Sequence, residues 1–165
     1  MEFAAQIVQI NTSHGGVPKR GVGQATVTLR GLPADEQADQ EHHGSPDQAL
    51  CLYSLDLIMA LQVEGHPIFA GSTGENLTIA GLDWRQMQPV EQFKIGHDII
   101  IEITDYATPC TTIKDSFKEG AFKRIGQHLN PGWSRLYAKV LHGGEVTVGD
   151  SIHLLREDER LIINH

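Results

Sequence analysis

Tyr106-Ala-Thr-Pro-Cys110-Thr-Thr-Ile113 directly follows the strongly apolar run Ile99–Ile103. Alternate isoleucines of that run share one face and another isoleucine lies opposite, so the run predicts a strand that is covered on both sides. Pro109 has no backbone N–H, and the strand is expected to end there. The thiol of Cys110 would then be rigidly supported yet accessible, as a nucleophile or metal ligand must be. The alternative reading is a small hydrophobic residue that fills a gap.

Most of the remaining chain also reads as short strands separated by glycine turns. One helix is expected to follow Ser54 as its N-cap, and a second is expected over residues 119–129. The runs Val146–Val148 and Ile152–Leu154 are expected to form a closing hairpin. This pattern predicts a mainly β fold, namely a closed or partly open antiparallel β-barrel with a few short helices.

Composition limits the partners that this chain is expected to bind. Its 165 residues carry a formal net charge of −8, with 13 basic and 21 acidic side chains, which argues against nucleic acid or an anionic membrane surface. No apolar run reaches the roughly 18 residues of a membrane span, and the N-terminus lacks the basic region of a signal peptide. We therefore expect a cytoplasmic protein with reduced cysteines, in which Cys51 fills the core of an apolar strand.

A glycine pair, Gly15-Gly16, precedes two cations, Lys19 and Arg20. Consecutive backbone N–H groups at such a turn form a concavity that binds anions, and the cations would add positive charge. The alternative is an exposed loop with solvated bases. The later stretch Gly71–Ile79 contains two glycines that permit close approach of the backbone to a ligand, but it lacks the Gly-Lys-Ser/Thr ending of a Walker A loop.

Residues 31–48 form a polar stretch that is long for a structureless connection, and loops of this length are often functional. The stretch contains His42, His43 and Asp47, which are side chains that bind metals. Adjacent histidines in an extended chain point to opposite faces, and no known metal-binding spacing accompanies them. We therefore favour the rim of a polar pocket over a metal site made by the protein alone.

Six motifs occur in the order that is typical of the MOSC family, which is named for the C-terminal domain of molybdenum cofactor sulfurases. They are Gly31–Asp35, His42–Ala49, Gly74–Thr78, Pro109-Cys110, Gly132–Ala138 and Gly149-Asp150. The chain therefore resembles this family over residues 1–155, and it is similar to the small stand-alone bacterial members related to hydroxylaminopurine-resistance proteins. It departs from the usual pattern at Ala34, where the family has glycine, and at Ser45, where the family has the second glycine of a His-Gly-Gly motif.

The resemblance implies a β-barrel domain over residues 1–155 that binds the molybdenum cofactor (molybdopterin), followed by a charged tail over residues 156–165. Cys110 corresponds to the cysteine that ligates molybdenum in family enzymes, and a soft thiolate suits that metal. The pterin phosphate needs cations, for which the candidates are Lys19, Arg20, Lys114 and Arg135. The polar edges of the pterin would meet Gly74, Glu75, Asn76 and His43.

Two functions are compatible with this resemblance. The first is a molybdenum-dependent oxidoreductase that reduces small N-hydroxylated substrates. It would need a flavin or iron–sulfur protein as electron donor, because the chain has no Rossmann glycine signature and no cysteine cluster. The second is a non-catalytic carrier that holds sulfur or the cofactor through Cys110. Both a monomer and a homodimer are compatible with the sequence.

Overall fold

The computed structural model describes residues 4–35 and 45–162, in which β-strands dominate. The strands are β1 (Gln6–Thr12), β2 (Arg20–Val22), β3 (Gln24–Val27), β4 (Leu50–Ser54), β5 (Leu77–Ala80), β6 (Gln92–Ile95), β7 (Ile99–Tyr106), β8 (Leu136–His142), β9 (Gly144–Thr147) and β10 (Ile152–Leu154). The α-helix is α1 (Leu55–Val63), and short 3-10 helices span Pro46–Gln48, Trp84–Gln86, Thr111–Ser116, Lys118–Gly120, Phe122–Ile125 and Glu157–Glu159. The prediction of a mainly β fold is confirmed.

Eight of these strands form one sheet in the order β10-β6-β7-β8-β4-β5-β1-β2, and β3 pairs with β9 in a second, two-stranded sheet. The large sheet is mixed rather than antiparallel, because β4 and β5 run parallel. Helix α1 lies between them in sequence and provides the crossover that a parallel pair requires. Its predicted N-cap is confirmed, since the Ser54 side chain accepts a hydrogen bond from the backbone N–H of Leu57.

The predicted closure into a barrel is not confirmed, because β10 and β2 stand at the two edges of the large sheet. The opposite ends of the chain nevertheless approach each other at one point. Gln6 forms an isolated antiparallel bridge with Ser151, and the backbone N–H of Ile7 donates to the carbonyl of Asp150 at 2.9 Å. Within the described residues this contact is a local bridge rather than a continuous strand pair.

The central strand β7 matches the prediction made from its isoleucines. Ile99, Ile101 and Ile103 are buried, and Ile100 on the opposite face is half-buried. β7 pairs with β6 on one side and with β8 on the other. The strand therefore forms the centre of the core and fixes the position at which the chain leaves toward Cys110.

The predicted helix over residues 119–129 is wrong. The chain there forms the separate short turns Lys118–Gly120 and Phe122–Ile125. Glu119 and Gly120 have φ angles of 58° and 69°, and two consecutive residues in this left-handed region interrupt an α-helix. Leu129, expected on the apolar stripe, is 61% exposed.

The predicted closing hairpin is also wrong. Val146 lies in β9 and pairs with Ala25 of β3, whereas Ile152 lies in β10 and pairs with Ile95 of β6. The Gly149-Asp150 turn thus moves the chain from the small sheet to the large one instead of folding it back on itself. Within the described residues, none of the helices has both the length and the apolar character needed to cross a bilayer.

Candidate functional site

The loop formed by residues 71–76, just before β5, brings most of the candidate segments together. Its carbonyl oxygens accept hydrogen bonds from the backbone of Lys19 at 2.9 Å, from the guanidinium of Arg135 at 2.8 Å and from the hydroxyl of Ser116 at 3.2 Å. Ser116 ends the turn that begins immediately after Cys110. Three segments that are distant in sequence therefore meet at one short loop.

Cys110 is exposed, as predicted from its position after Pro109. It precedes the 3-10 turn Thr111–Ser116 in extended conformation, and its sulfur lies 2.8 Å from the hydroxyl oxygen of Thr112. A hydroxyl at this distance can donate to a thiolate and stabilise its charge. The thiol therefore combines access with a hydrogen-bond partner on its own turn.

Arg135 is 7% exposed, although its guanidinium is permanently charged. Its Nη1 donates to the carbonyl of Thr73, while its buried Nε has no hydrogen-bond partner among the described residues. Its backbone carbonyl accepts from the N–H of Ala107, three residues before Cys110. A buried cation with an unused donor, bonded through its backbone to the segment that leads to an exposed thiol, is an arrangement that suits an anionic ligand.

Lys19 is largely buried, and its Nζ lies 2.6 Å from Oδ2 of Asp35. The same carboxyl oxygen accepts from the side-chain amide of Asn76, and the other carboxyl oxygen accepts from the backbone of Ser13. The positive charge of Lys19 is therefore already balanced by a carboxylate. This pairing reduces what Lys19 alone can contribute to the binding of an anion.

Glu75 and Asn76 are both buried and engaged with the protein itself. The carboxylate of Glu75 accepts from the backbone of Gly71 and from the hydroxyls of Thr73 and Thr78. Burial raises the pKa of Glu75, and these hydrogen bonds oppose the rise. The side chain of Asn76 accepts from the backbone of Cys51 and donates to Asp35. Their contact with a pterin stays a prediction, since every contact described here is internal.

Both cysteines and Arg135 act electrostatically on Tyr137. Burial raises the pKa of Tyr137 to about 12, the Cys51 and Cys110 thiols add to the rise, and Arg135 lowers it. Burial also raises the pKa of the Cys51 thiol, which Arg135 and Lys19 oppose. Cys51 is 8% exposed, in agreement with its predicted core role. The sheet therefore places a protected thiol and an accessible one around the same phenol.

The other predicted site residues differ in exposure, and one of them lies outside the described residues. Arg20 and Lys114 are exposed, and neither forms an ion pair within residues 4–35 and 45–162. Gly74 has a φ of 84°, and a Cβ there would lie 3.0 Å from a methyl group of Val17. His43 and the adjacent His42 lie outside the described residues, whereas Asp47 is described and exposed.

Sequence reasoning missed three contributors to this site, namely Thr112, Asp35 and Ser116. Thr112 lies two residues after Cys110, and a threonine hydroxyl often bonds to a nearby group of the same turn. That spacing was a signal for the contact between the Thr112 hydroxyl and the Cys110 sulfur. Asp35 entered the sequence analysis only as the last residue of the motif Gly31–Asp35. Its ion pair with Lys19 joins segments that no local pattern connects.

Comparisons with known proteins support a common fold and family. The chain is 27% identical over 147 residues to the uncharacterized protein YflK of Bacillus subtilis and 29% identical over 138 residues to protein YiiM of Escherichia coli. These matches cover 88% and 81% of this chain, and 65% and 60% of those proteins. A protein of Gibberella moniliformis named "Reductase" is 28% identical over 81% of this chain, which spans only 24% of that longer protein.

A crystal structure of a hypothetical protein superposes with a TM-score of 0.72 at 25% identity, covering 94% of this chain and 70% of that one. The family model described as "MOSC domain" matches residues 39–153, a range that includes five of the six motifs in full. The family predicted from those motifs is confirmed, and the chain belongs to the MOSC domain family.

Proposed function

We propose that this protein holds the molybdenum cofactor at Cys110 and reduces small N-hydroxylated compounds with electrons from a separate protein. The observation that carries the proposal is the exposed Cys110 thiol together with the buried Arg135, whose backbone is bonded to Ala107 three residues before Cys110 and whose Nε has no partner among the described residues. An unsatisfied buried donor destabilises a protein by roughly 1–3 kcal/mol, so its retention favours a role in binding.

The residues present fit such a cofactor. A thiolate is a soft ligand suited to a transition metal, and the Thr112 hydroxyl can stabilise its negative charge. Arg135 would hold an anionic group of the pterin through its unused Nε, and the exposed Arg20 and Lys114 would add positive charge. Lys19 would contribute less, because Asp35 balances its charge.

The loop formed by residues 71–76 would position these groups rather than react. Thr73 supplies the carbonyl that orients the guanidinium of Arg135, and the bonds accepted by Glu75 fix the conformation of the loop. When bound, the cofactor would supply the two-electron chemistry of the reaction. In that reaction a hydroxylamine R–NHOH takes up two electrons and two protons, the N–O bond breaks, and R–NH2 and water are released.

The relatives support this reaction only in a general way. The Gibberella protein carries the name "Reductase", and the segment similar to this chain is a minor part of its length. Most of that protein's length therefore lies outside the segment similar to this chain. This agrees with the proposal that the MOSC domain binds the substrate and that electrons come from a separate domain or protein.

The experiment is to express the wild type, Cys110→Ser and Cys51→Ala in a host that makes the cofactor, and to measure molybdenum by mass spectrometry. We expect the wild type and Cys51→Ala to contain molybdenum, and Cys110→Ser to contain at least tenfold less. Reduction of an N-hydroxylated purine by dithionite-reduced methyl viologen should follow the metal content. Equal, negligible metal in all three proteins would contradict the proposal.

The exposure of Cys110 also favours a second candidate function, that of a sulfur or cofactor carrier. A carrier would accept the outer sulfur of a donor protein's persulfide, R–S–SH: the Cys110 thiolate attacks that sulfur, the donor S–S bond breaks, and R–SH leaves. Alkylating reagents trap the resulting Cys110 persulfide, and mass spectrometry detects it. Trapping of this species in a protein that does not reduce hydroxylamines would replace the reductase proposal.

A further inference from the structure

The segment that follows Cys110 differs in charge from the rest of the chain. Residues 111–130 contain four basic side chains and two acidic ones, whereas the remainder contains nine basic and nineteen acidic residues. The chain as a whole has a formal net charge of −8. The surface next to the candidate site is therefore locally basic on an otherwise acidic molecule.

This segment packs directly against the turn that carries Cys110. A Cβ placed on Gly126 would lie 3.6 Å from Cγ of Pro109, the residue before Cys110. A Cβ on Gly120 would lie 3.8 Å from Cβ of Lys114. The three 3-10 turns over residues 111–125, with the residues that follow them, therefore lie beside the turn that carries the thiol. We call residues 111–130 the basic cap.

The basic cap contains an open groove with a volume of about 460 Å³. Its lining is mainly apolar and consists of Gly120, Ala121, Phe122, Lys123, Arg124, Leu129 and Asn130. Leu129 is 61% exposed. An apolar centre with charged residues at its margin is the usual composition of a protein–protein interface.

The basic side chains of the cap differ in whether an acidic side chain already balances their charge. Arg124 forms two hydrogen bonds with the carboxylate of Glu64 and stacks over the ring of Trp133 at 4.0 Å, so its charge is used internally. Lys118 and Lys123 are exposed and form no ion pair within the described residues. Because the exposed Lys114 is assigned to the cofactor site, these two lysines are the cations of the cap that remain available to a partner.

We propose that the basic cap binds a small acidic electron-carrier protein that delivers electrons to the Cys110 site. This inference rests on the proposed reductase function, since the chain has only two cysteines and needs an external donor. Electron-transfer contacts are small and are steered by opposite charges. The two carboxylates within the segment, Asp115 and Glu119, interrupt its positive charge and disfavour a nucleic acid, whose phosphate backbone needs several neighbouring cations.

The binding test uses purified flavodoxin, an acidic electron carrier, and the double variant Lys118→Glu/Lys123→Glu. The matched control is Arg30→Glu/Arg156→Glu, which changes the net charge equally at exposed positions outside the cap. We expect wild type and control to bind flavodoxin at low salt, with an affinity that falls as salt is added, and the cap variant to bind at least tenfold more weakly. Cytochrome c, a basic carrier, should gain no affinity from the two lysines, so the cap variant should bind it at least as tightly as the wild type does.

The activity test separates this inference from the proposed function. Turnover with reduced methyl viologen should be equal in the wild type and the cap variant, whereas the KM for reduced flavodoxin should rise at least tenfold in the variant. If methyl viologen supports no turnover in any protein, the reductase proposal fails, while the binding measurement still tests the cap. Equal flavodoxin affinity in the wild type and cap variant, equal losses in cap and control variants, or preference of the cap for an RNA oligonucleotide would overturn the inference.

Discussion

At the scale of single residues, the two cysteines show how the same type of side chain differs in accessibility at two positions. Cys110 is exposed on a turn and lies beside the Thr112 hydroxyl, whereas Cys51 is buried in β4 with a raised pKa. Because the thiolate is the reactive form and must be reached by a reagent, burial and the raised pKa both keep Cys51 from reacting.

This contrast predicts the result of a thiol titration. We expect the folded protein to react with Ellman's reagent at one thiol, Cys110→Ser to react at none, and both proteins to expose Cys51 after unfolding in guanidinium. Burial is the cause, since it keeps Cys51 neutral and inaccessible. Rapid reaction of two thiols in the folded wild type would show that the β4 environment is more open than described.

At the scale of elements, the loop formed by residues 71–76 connects the site to the sheet. The loop is fixed from inside by Glu75, and its carbonyls receive Lys19, Arg135 and Ser116. It reaches this close approach because Gly71 has a φ of 89° and no side chain. The arrangement of the site therefore depends on the backbone of one glycine.

Substitution of Gly71 by alanine tests this dependence. A Cβ there would lie 2.5 Å from the carbonyl oxygen of Lys19 and 3.1 Å from Oδ1 of Asn11. Gly16→Ala is the matched control, because Gly16 has a similar φ of 73° and open space around it. We expect Gly16→Ala to lower the free energy of unfolding by about 1–2 kcal/mol. Gly71→Ala should cost a further ~1–3 kcal/mol through overpacking.

Urea unfolding of the two variants measures this difference. If Gly71→Ala were no less stable than Gly16→Ala, the loop would have room to move away from Lys19. The close packing described between the loop and the segment before β2 would then not constrain the site.

At the scale of the whole molecule, hydrogen bonds join the first strand of the chain, β1, to the segment that enters the last strand, β10. The N–H of Ile7 donates to Asp150, the N–H of Gly149 donates to Ile7, and the N–H of Ile152 donates to Ala5. Contacts of such high sequence separation require the entire domain to be folded. They connect the first strand with the last one, although the sheet has two free edges.

Amide hydrogen exchange tests how firmly these ends are joined. We expect the amides of Ile7 and Ile152 to exchange as slowly as those of the β7–β8 pair, because all of them should open only with global unfolding. Amides of the edge strand β2 provide the fast reference. Exchange of Ile7 and Ile152 at the rate of β2 would show that the terminal contact opens locally.

The sequence by itself determined the features that depend on local pattern. Alternating apolar residues predicted β7, the Ser54 cap predicted the start of α1, and ordered motifs predicted the family, all of which are confirmed. The predicted exposure of Cys110 is confirmed, although β7 ends at Tyr106, three residues before Pro109.

Only the tertiary structure decided which distant groups share an environment. The pairing of Lys19 with Asp35, the burial of Arg135 against Thr73 and the pairing of β9 with β3 each involve residues that no local period connects. The helix expected over residues 119–129 failed for the same reason, since left-handed residues and packing against Pro109 outweighed its apolar spacing. Local patterns are set by the backbone and its nearest neighbours, whereas charge balance and strand pairing depend on free energies that exist only once the chain has folded.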